Sequence, residues 1–183
     1  YAPSLVTVFL AATSTKVSVY VLLRVLFTVF GPSYDFVNLT FEFVLMPLAI
    51  VAMFAGSVTA IFQTNVKRLF AYSSVAQLGY MMLGVSLCNI PGLMATILHI
   101  FNHALMKGAL FMALGCVVYR LGAISLGSMK GLGRRMPWTM GALTLAGLSL
   151  IGVPGTVGFI SKWHLILGTL ESGYWPIAIL IVG

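Results

Sequence analysis

His99, His103 and Lys107 stand at i, i+4 and i+8 within a long apolar stretch, with Asn102 beside them. On a helix this spacing puts all three on one face, spread over roughly 12 Å of axis. Histidine exchanges its proton near neutrality, and a lysine taken out of water gives its proton up more readily than one left in it. A row of this kind suits a proton relay. Two other readings compete with it. The histidines can be core residues bonded to neighbouring carbonyls, or they can share a metal ion, since His at i and i+4 reach one site. No cysteine or carboxylate accompanies them to complete a ligand set, so the relay is favoured, and no metal and no cofactor is expected.

Two more lysines lie where lysine is costly. Lys16 falls about midway along an apolar run, among Ala11, Ala12, Thr13, Ser14, Thr15 and Ser18. An ionisable group at the centre of a bilayer costs at least ~2.5–3.5 kcal/mol. Mid-span, a lysine is ~15 Å from either surface, beyond the reach of snorkelling. Lys16 is therefore expected to face a packed or hydrated interior. Lys162 follows Gly152-Val153-Pro154-Gly155 by two helical turns. Proline removes a backbone donor and glycine favours non-helical angles, so Pro154 and Gly155 predict two half-helices with a break near 152–158. A broken helix beside a charge is a recurring device of transporters. Arg24 lies nearer a span end and does not release its proton, so an ion pair or snorkelling is the expected role. His164 is not assigned one.

These residues need an apolar frame, and the composition supplies it. Hydrophobic residues make up 60% of the 183 and charged residues 7%; mean hydropathy is +1.07. Soluble domains carry about a quarter charged residues. The chain reads as one membrane domain over 1–183, all-α, with about five complete spans and a shortened sixth. The expected spans are 4–30, 43–63, 69–89 and 93–119, then the broken segment 137–170 and an apolar run from 174 that is too short to cross. Ile90-Pro91-Gly92 is expected as a tight turn. No signal peptide is visible at Tyr1-Ala2-Pro3, and the chain is expected to be a fragment of a larger subunit. Cys88 and Cys116 form no metal spacing and no disulfide framework, and are expected to pack as small residues.

Alternation of spans puts the loops at 63–68 and 120–136 on one side, with Lys67, Arg68, Arg120, Lys130, Arg134 and Arg135. The loops at 31–42, 89–92 and 171–173 fall on the other, with Asp35, Glu42 and Glu171 and no lysine or arginine. Basic loops remain cytoplasmic, so the first side is expected to face the cytoplasm. This placement accounts for the net charge of +7 without a nucleic-acid partner.

Three runs then carry a resemblance. KRLFAYSSVAQLGY at 67–80, HALMKGALF at 103–111 and GVPGTVGFISK at 152–162 resemble, in order and spacing, the signatures of antiporter-like membrane subunits. These occur in respiratory NADH:quinone oxidoreductase and in multisubunit Mrp cation/proton antiporters. The resemblance implies a bacterial cell-membrane location, partner membrane subunits, and transport of protons and of Na+ or K+. It also implies residue roles. Lys16 matches a broken-helix lysine that pairs with a glutamate on an earlier helix. Lys67, His99, His103 and Lys107 match a central hydrophilic axis, and Lys162 matches the terminal lysine. The runs Phe9–Lys16 and Phe159–Trp163 look most like the D-type members of the Mrp antiporters. Two features depart from relatives: Trp163 stands where the largest quinone-oxidoreductase members have an acidic residue, and Val44-Leu45-Met46-Pro47 lacks a lysine that several members carry.

The expected function is thus a transport subunit without redox centres of its own, moving protons from lysine to histidine to lysine within an antiporter. The alternatives are a proton-pumping arm of a quinone oxidoreductase or related hydrogenase, and a non-conducting structural subunit. There is no GxGxxG run and no cysteine cluster for flavin, haem or iron–sulfur.

Overall fold

A chain surrounded by lipid must satisfy its backbone donors and acceptors internally, and a helix does so within one segment. The computed structural model describes residues 4–31, 41–122 and 125–182, which are helical almost throughout. α1 (Ser4–Phe9) runs through a π-helical stretch (Leu10–Ser14) into α2 (Thr15–Val25) and a second π-helical stretch (Leu26–Phe30). A third (Phe41–Leu45) opens α3 (Met46–Ile61). α4 (Val66–Ser86) and α5 (Ile90–Leu121) follow. The next loop holds a 3-10 turn (Gly127–Met129) and the short α6 (Leu132–Arg135). α7 (Pro137–Ile151) and α8 (Val157–Glu171) flank the break, and α9 (Trp175–Val182) ends the described residues.

By length and hydropathy, Leu10–Val29, Glu42–Ile61 and Ile90–Leu121 can each cross a membrane. α4 is 21 residues long, but Lys67, Arg68, Ser73, Ser74 and Gln77 dilute its apolar character. α7 and α8 have 15 residues each, the two halves of the expected discontinuous helix. The architecture is an all-α membrane bundle, as the composition implies.

Two helix starts differ from expectation, both because an asparagine caps earlier than the hydropathy suggests. Asn65 Oδ1 accepts from the backbone N–H of Lys67 (3.0 Å) and Arg68 (3.4 Å), so the basic pair belongs to the first turn of α4. Asn89 Oδ1 accepts from Gly92 N (2.8 Å), and Ile90-Pro91-Gly92 is the first turn of α5 rather than a tight turn. Proline is tolerated there because the first helical N–H groups have no intrahelical partner. The reversal lies at 87–89, where Cys88 takes a positive φ of 49°. The cysteines also depart from expectation: both are exposed, Cys88 on this turn and Cys116 on the outer face of α5.

α5 is the hub. It packs against α1 and the adjoining π-helical stretch, α4, α7 and α8, while α3 lies along α4 and α9 along α8. Small residues bring α3 and α4 together: a Cβ on Gly56 would lie 2.6 Å from Ala76 N, and one on Gly79 2.8 Å from Ala49 O. Close backbone approach of this kind holds membrane helices together where lipid offers no hydrophobic drive. Met46, Met53, Leu83, Leu87, Leu165 and Ile181 fill the core beside this pair.

The helix ends segregate as the loop charges require. Leu126 N donates to Thr64 O (3.2 Å) next to an isolated bridge between Asn65 and Ser125, which joins the two basic loops at one end of the bundle. At the other end Asn89 Nδ2 donates to Gly168 O (2.7 Å) and Ser172 Oγ (2.9 Å). There too the Tyr174 phenol donates to the Glu42 carboxylate, which raises the phenol above its usual pKa. Asp35 and most of the 31–42 break lie outside the described residues, as do Tyr1-Ala2-Pro3.

Candidate functional site

The stripe on α5 meets a second polar stripe on α4. Ser73, Gln77 and Tyr80 recur at intervals of four and three, so they share one face over ~10 Å of axis. Lys107 is fully buried. Its Nζ donates to Phe70 O (2.7 Å) and Ser73 Oγ (2.5 Å) and lies 5.5 Å from the centroid of the Phe70 ring. The Ser73 and Ser74 hydroxyls donate to the same Phe70 carbonyl, at 3.1 and 3.0 Å. Among the described residues the amine is thus held by dipoles and a ring face rather than by a carboxylate.

One turn along α5, His103 is fully buried, and neither ring nitrogen has a hydrogen-bond partner among the described residues. Its ring stacks on that of His99, with centroids 5.8 Å apart and planes 5° from parallel. His99 lies between two polar groups: Nε2 is 2.8 Å from Gln77 Oε1 on α4, and Nδ1 is 2.8 Å from Ser161 Oγ on α8. Tyr80 places its ring 6.4 Å from that of His99.

The broken helix delivers Lys162 to the same place. Lys162 Nζ donates to Ile151 O (2.8 Å), one of the last carbonyls of α7, which has no intrahelical partner and carries the negative end of the helix dipole. The Tyr80 ring centroid is 4.8 Å from the same nitrogen. Gly152 ends α7 at φ +92°, and a Cβ there would come within 2.9 Å of Lys162 Cδ. Glycine is required both for the backbone turn and for the seat of the lysine stem. At the start of α8, Gly158 N donates to Ser149 Oγ (3.3 Å) and Asn102 Nδ2 donates to Val157 O (2.8 Å). These bonds tie the break to both α7 and α5. Tyr80, Ala95, His99, Ser161, Lys162 and Leu165 line a cavity of about 10 Å³, about the size of one water.

The remaining candidates fall around this row. Lys16 is 4% exposed, and its Nζ donates to Ala11 O in the preceding π-helical stretch. π-helical segments often mark functional positions. This one rests on α5 beside the row, with Ala12 Cβ 4.0 Å from where a Cβ on Gly108 would lie. Lys67 is half-buried in the first turn of α4, one turn before Phe70. Pro154 and Gly155 lie in the break, Gly155 at φ +90°. Arg24 is exposed, and His164 donates from Nδ1 to Ile160 O at 2.8 Å. The structure therefore joins Lys107, His103, His99 and Lys162 into one row. Lys16 sits beside it and Lys67 at its edge. The residues that sequence reasoning left without a role are Ser73, Gln77, Tyr80 and Ser161. The 4-and-3 spacing of the first three was the available signal.

The family model described as NADH:quinone oxidoreductase/Mrp antiporter, TM, matches residues 1–183. A curated relative, NADH-quinone oxidoreductase subunit N of Desulforudis audaxviator, is 44% identical over 186 residues, which is 100% of this chain and 36% of the relative. Among solved structures, the archaeal respiratory complex membrane-bound sulfane sulfur reductase contains a chain that superposes with a TM-score of 0.85 at 33% identity, covering 99% of this chain and 37% of that one. The Mrp complex from Dietzia sp. DQ12-45-1b gives a TM-score of 0.80 at 30% identity, covering 92% and 30%. The chain thus spans about a third of the length of such relatives, and it belongs to the NADH:quinone oxidoreductase/Mrp antiporter membrane family.

Proposed function

We propose that this chain is the proton-conducting segment of a larger membrane subunit, and that protons move along Lys107, His103, His99 and Lys162. The observation that carries this reading is the row itself: four titratable side chains on two packed helices, with no carboxylate among them to fix their charge. An imidazole with no protein partner in a buried site is costly, about 1–3 kcal/mol for each orphaned group. At His103 that cost favours water, and water bridging to Lys107 and His99 makes a proton wire. Lys16 controls the wire through its charge. It stays protonated while a carboxylate from another helix of the subunit is near, and releases its proton when that pair opens. Lys67, one turn from Phe70, stands at the edge of this path. The basic end of the bundle faces the cytoplasm by the positive-inside rule, in a bacterial cell membrane, and about five complete spans cross the bilayer.

The host complex is a respiratory one of the quinone-oxidoreductase type, because the Desulforudis audaxviator relative is a quinone-oxidoreductase subunit and the sulfane sulfur reductase is respiratory. In it this segment moves protons while other subunits hold the redox centres. A second reading, a subunit of a multisubunit Na+ or K+/proton antiporter, is favoured by the Mrp superposition and by the runs Phe9–Lys16 and Phe159–Trp163. Inside-out vesicles carrying the complete complex separate them: a respiratory subunit acidifies the lumen when a reductant is added, whereas an antiporter exchanges protons only against an imposed cation gradient. Lys16→Ala should abolish either activity while the complex still assembles. Normal transport by an assembled Lys16→Ala complex would contradict the gating role.

A further inference from the structure

Ser161 is 1% exposed, and its hydroxyl stands between two acceptors, His99 Nδ1 at 2.8 Å and Gly158 O at 3.0 Å. A hydroxyl has one hydrogen and two lone pairs, so it can donate to only one of them at a time. Gln77 Oε1 holds the other ring nitrogen at 2.8 Å. We infer that Ser161 is a positioning residue, a two-state hydroxyl that donates to His99 when the imidazole is neutral and turns to Gly158 O when the imidazole gains a proton. This inference rests on the proton path proposed above.

The two states follow from counting hydrogens. A neutral His99 that donates from Nε2 to Gln77 has a bare Nδ1, and the Ser161 hydrogen fills it. A protonated His99 presents N–H at both nitrogens. Nδ1–H then needs an acceptor, which is the Ser161 oxygen, and the Ser161 hydrogen needs a new partner. Gly158 O supplies one with its second lone pair. The added proton remains on the imidazole and the serine hydrogen only rotates, so no proton is lost or gained in the switch. In both states the two ring nitrogens of His99 and the Ser161 hydroxyl are bonded. Among the described residues, His103 on the same helix, Tyr80 on α4, Lys162 on α8 and Lys16 on α2 are the other titratable groups around His99.

Gly158 is in the first turn of α8, and Lys162 follows Ser161 directly. A charge arriving on His99 is therefore registered as a changed hydrogen bond on the half-helix that carries the next lysine. An alanine at this position leaves a bare Nδ1 in the neutral state and an orphaned N–H in the charged state. The second is worse, because the group left without a partner is ionised.

The test uses inside-out vesicles with the complete complex and its own driving reaction, with assembly checked by co-purification of the partner subunits. Ser161→Ala should slow proton translocation roughly tenfold, and Ser161→Thr, which keeps a hydroxyl, should retain at least about half the wild-type rate. A wild-type rate for Ser161→Ala, or equal impairment of an assembled Ser161→Thr complex, overturns the switch. Should Ser161→Thr fail to assemble, Ser161→Cys keeps a weak donor and should fall between alanine and wild type; a rate at or below that of alanine also overturns it. His99→Phe keeps the two possible failures apart. If it transports normally, the path itself is wrong. If it blocks transport while Ser161→Ala does not, only the switch is wrong.

Discussion

The two lysines at the ends of the row, Lys107 fully buried and Lys162 half-buried, are held in opposite ways. Lys107 belongs to an unbroken helix of 32 residues and reaches across to a second unbroken helix. The carbonyls of α4 are already engaged in its own ladder, so Phe70 O is shared and the Ser73 and Ser74 hydroxyls add polarity around it. Lys162 belongs to a half-helix and turns back onto the half-helix before it. There the break itself frees the carbonyl of Ile151, and no serine is needed at the ammonium. The intact helix meets the amine with side-chain hydroxyls, whereas the broken one meets it with its own freed backbone carbonyl.

This contrast predicts unequal responses to substitution. The largest loss is expected at the break. Gly152→Val forces a β-branched residue into a left-handed conformation, which costs ~1–2 kcal/mol, and drives its Cβ into the Lys162 stem. Proton translocation should fall at least tenfold, and a wild-type rate would show that Lys162 does not depend on the Gly152 seat. At the intact end, Ser73→Ala removes one of two polar partners of Lys107 but leaves Phe70 O in place. A hydrogen bond to a charged group contributes ~1.5–3 kcal/mol, and partial replacement by Phe70 O and water should hold the loss to roughly three- to tenfold. If Ser73→Ala lost more than Gly152→Val, the contrast would be reversed. The smallest effect is expected at Lys130, exposed in the basic loop. With Cys88 and Cys116 replaced by serine, Lys130→Cys should transport normally and resist impermeant thiol reagents in right-side-out vesicles. Rapid labelling would place this end of the bundle outside the cell.

Much of this arrangement was legible in the sequence. The i, i+4, i+8 spacing located the α5 stripe, and Gly152, Pro154 and Gly155 located the break, because both signals are local. Loop charges paired the correct ends, which the contact between Leu126 and Thr64 bears out. The helix starts at Val66 and Ile90 were readable from Asn65 and Asn89, but hydropathy concealed them, since a cap is a single polar residue at the edge of an apolar run. The partners of His99 were not legible. Gln77 and Ser161 lie 22 and 62 residues away, and nothing local marks a serine in α8 as the neighbour of a histidine in α5. The anchoring of Lys107 on Phe70 O was hidden for a further reason: a backbone carbonyl has no residue type to read.

The central claim is that Lys107 passes protons on rather than holding a fixed positive charge. Proton translocation in vesicles bearing the complete complex, compared for Lys107→Met and Lys107→Arg, tests it most directly. Methionine keeps the bulk but binds no proton, and arginine keeps the charge but does not release its proton. A relay predicts that both substitutions block translocation in an assembled complex. Near-normal activity with Lys107→Arg together with loss in Lys107→Met would contradict the relay and leave Lys107 as a fixed charge.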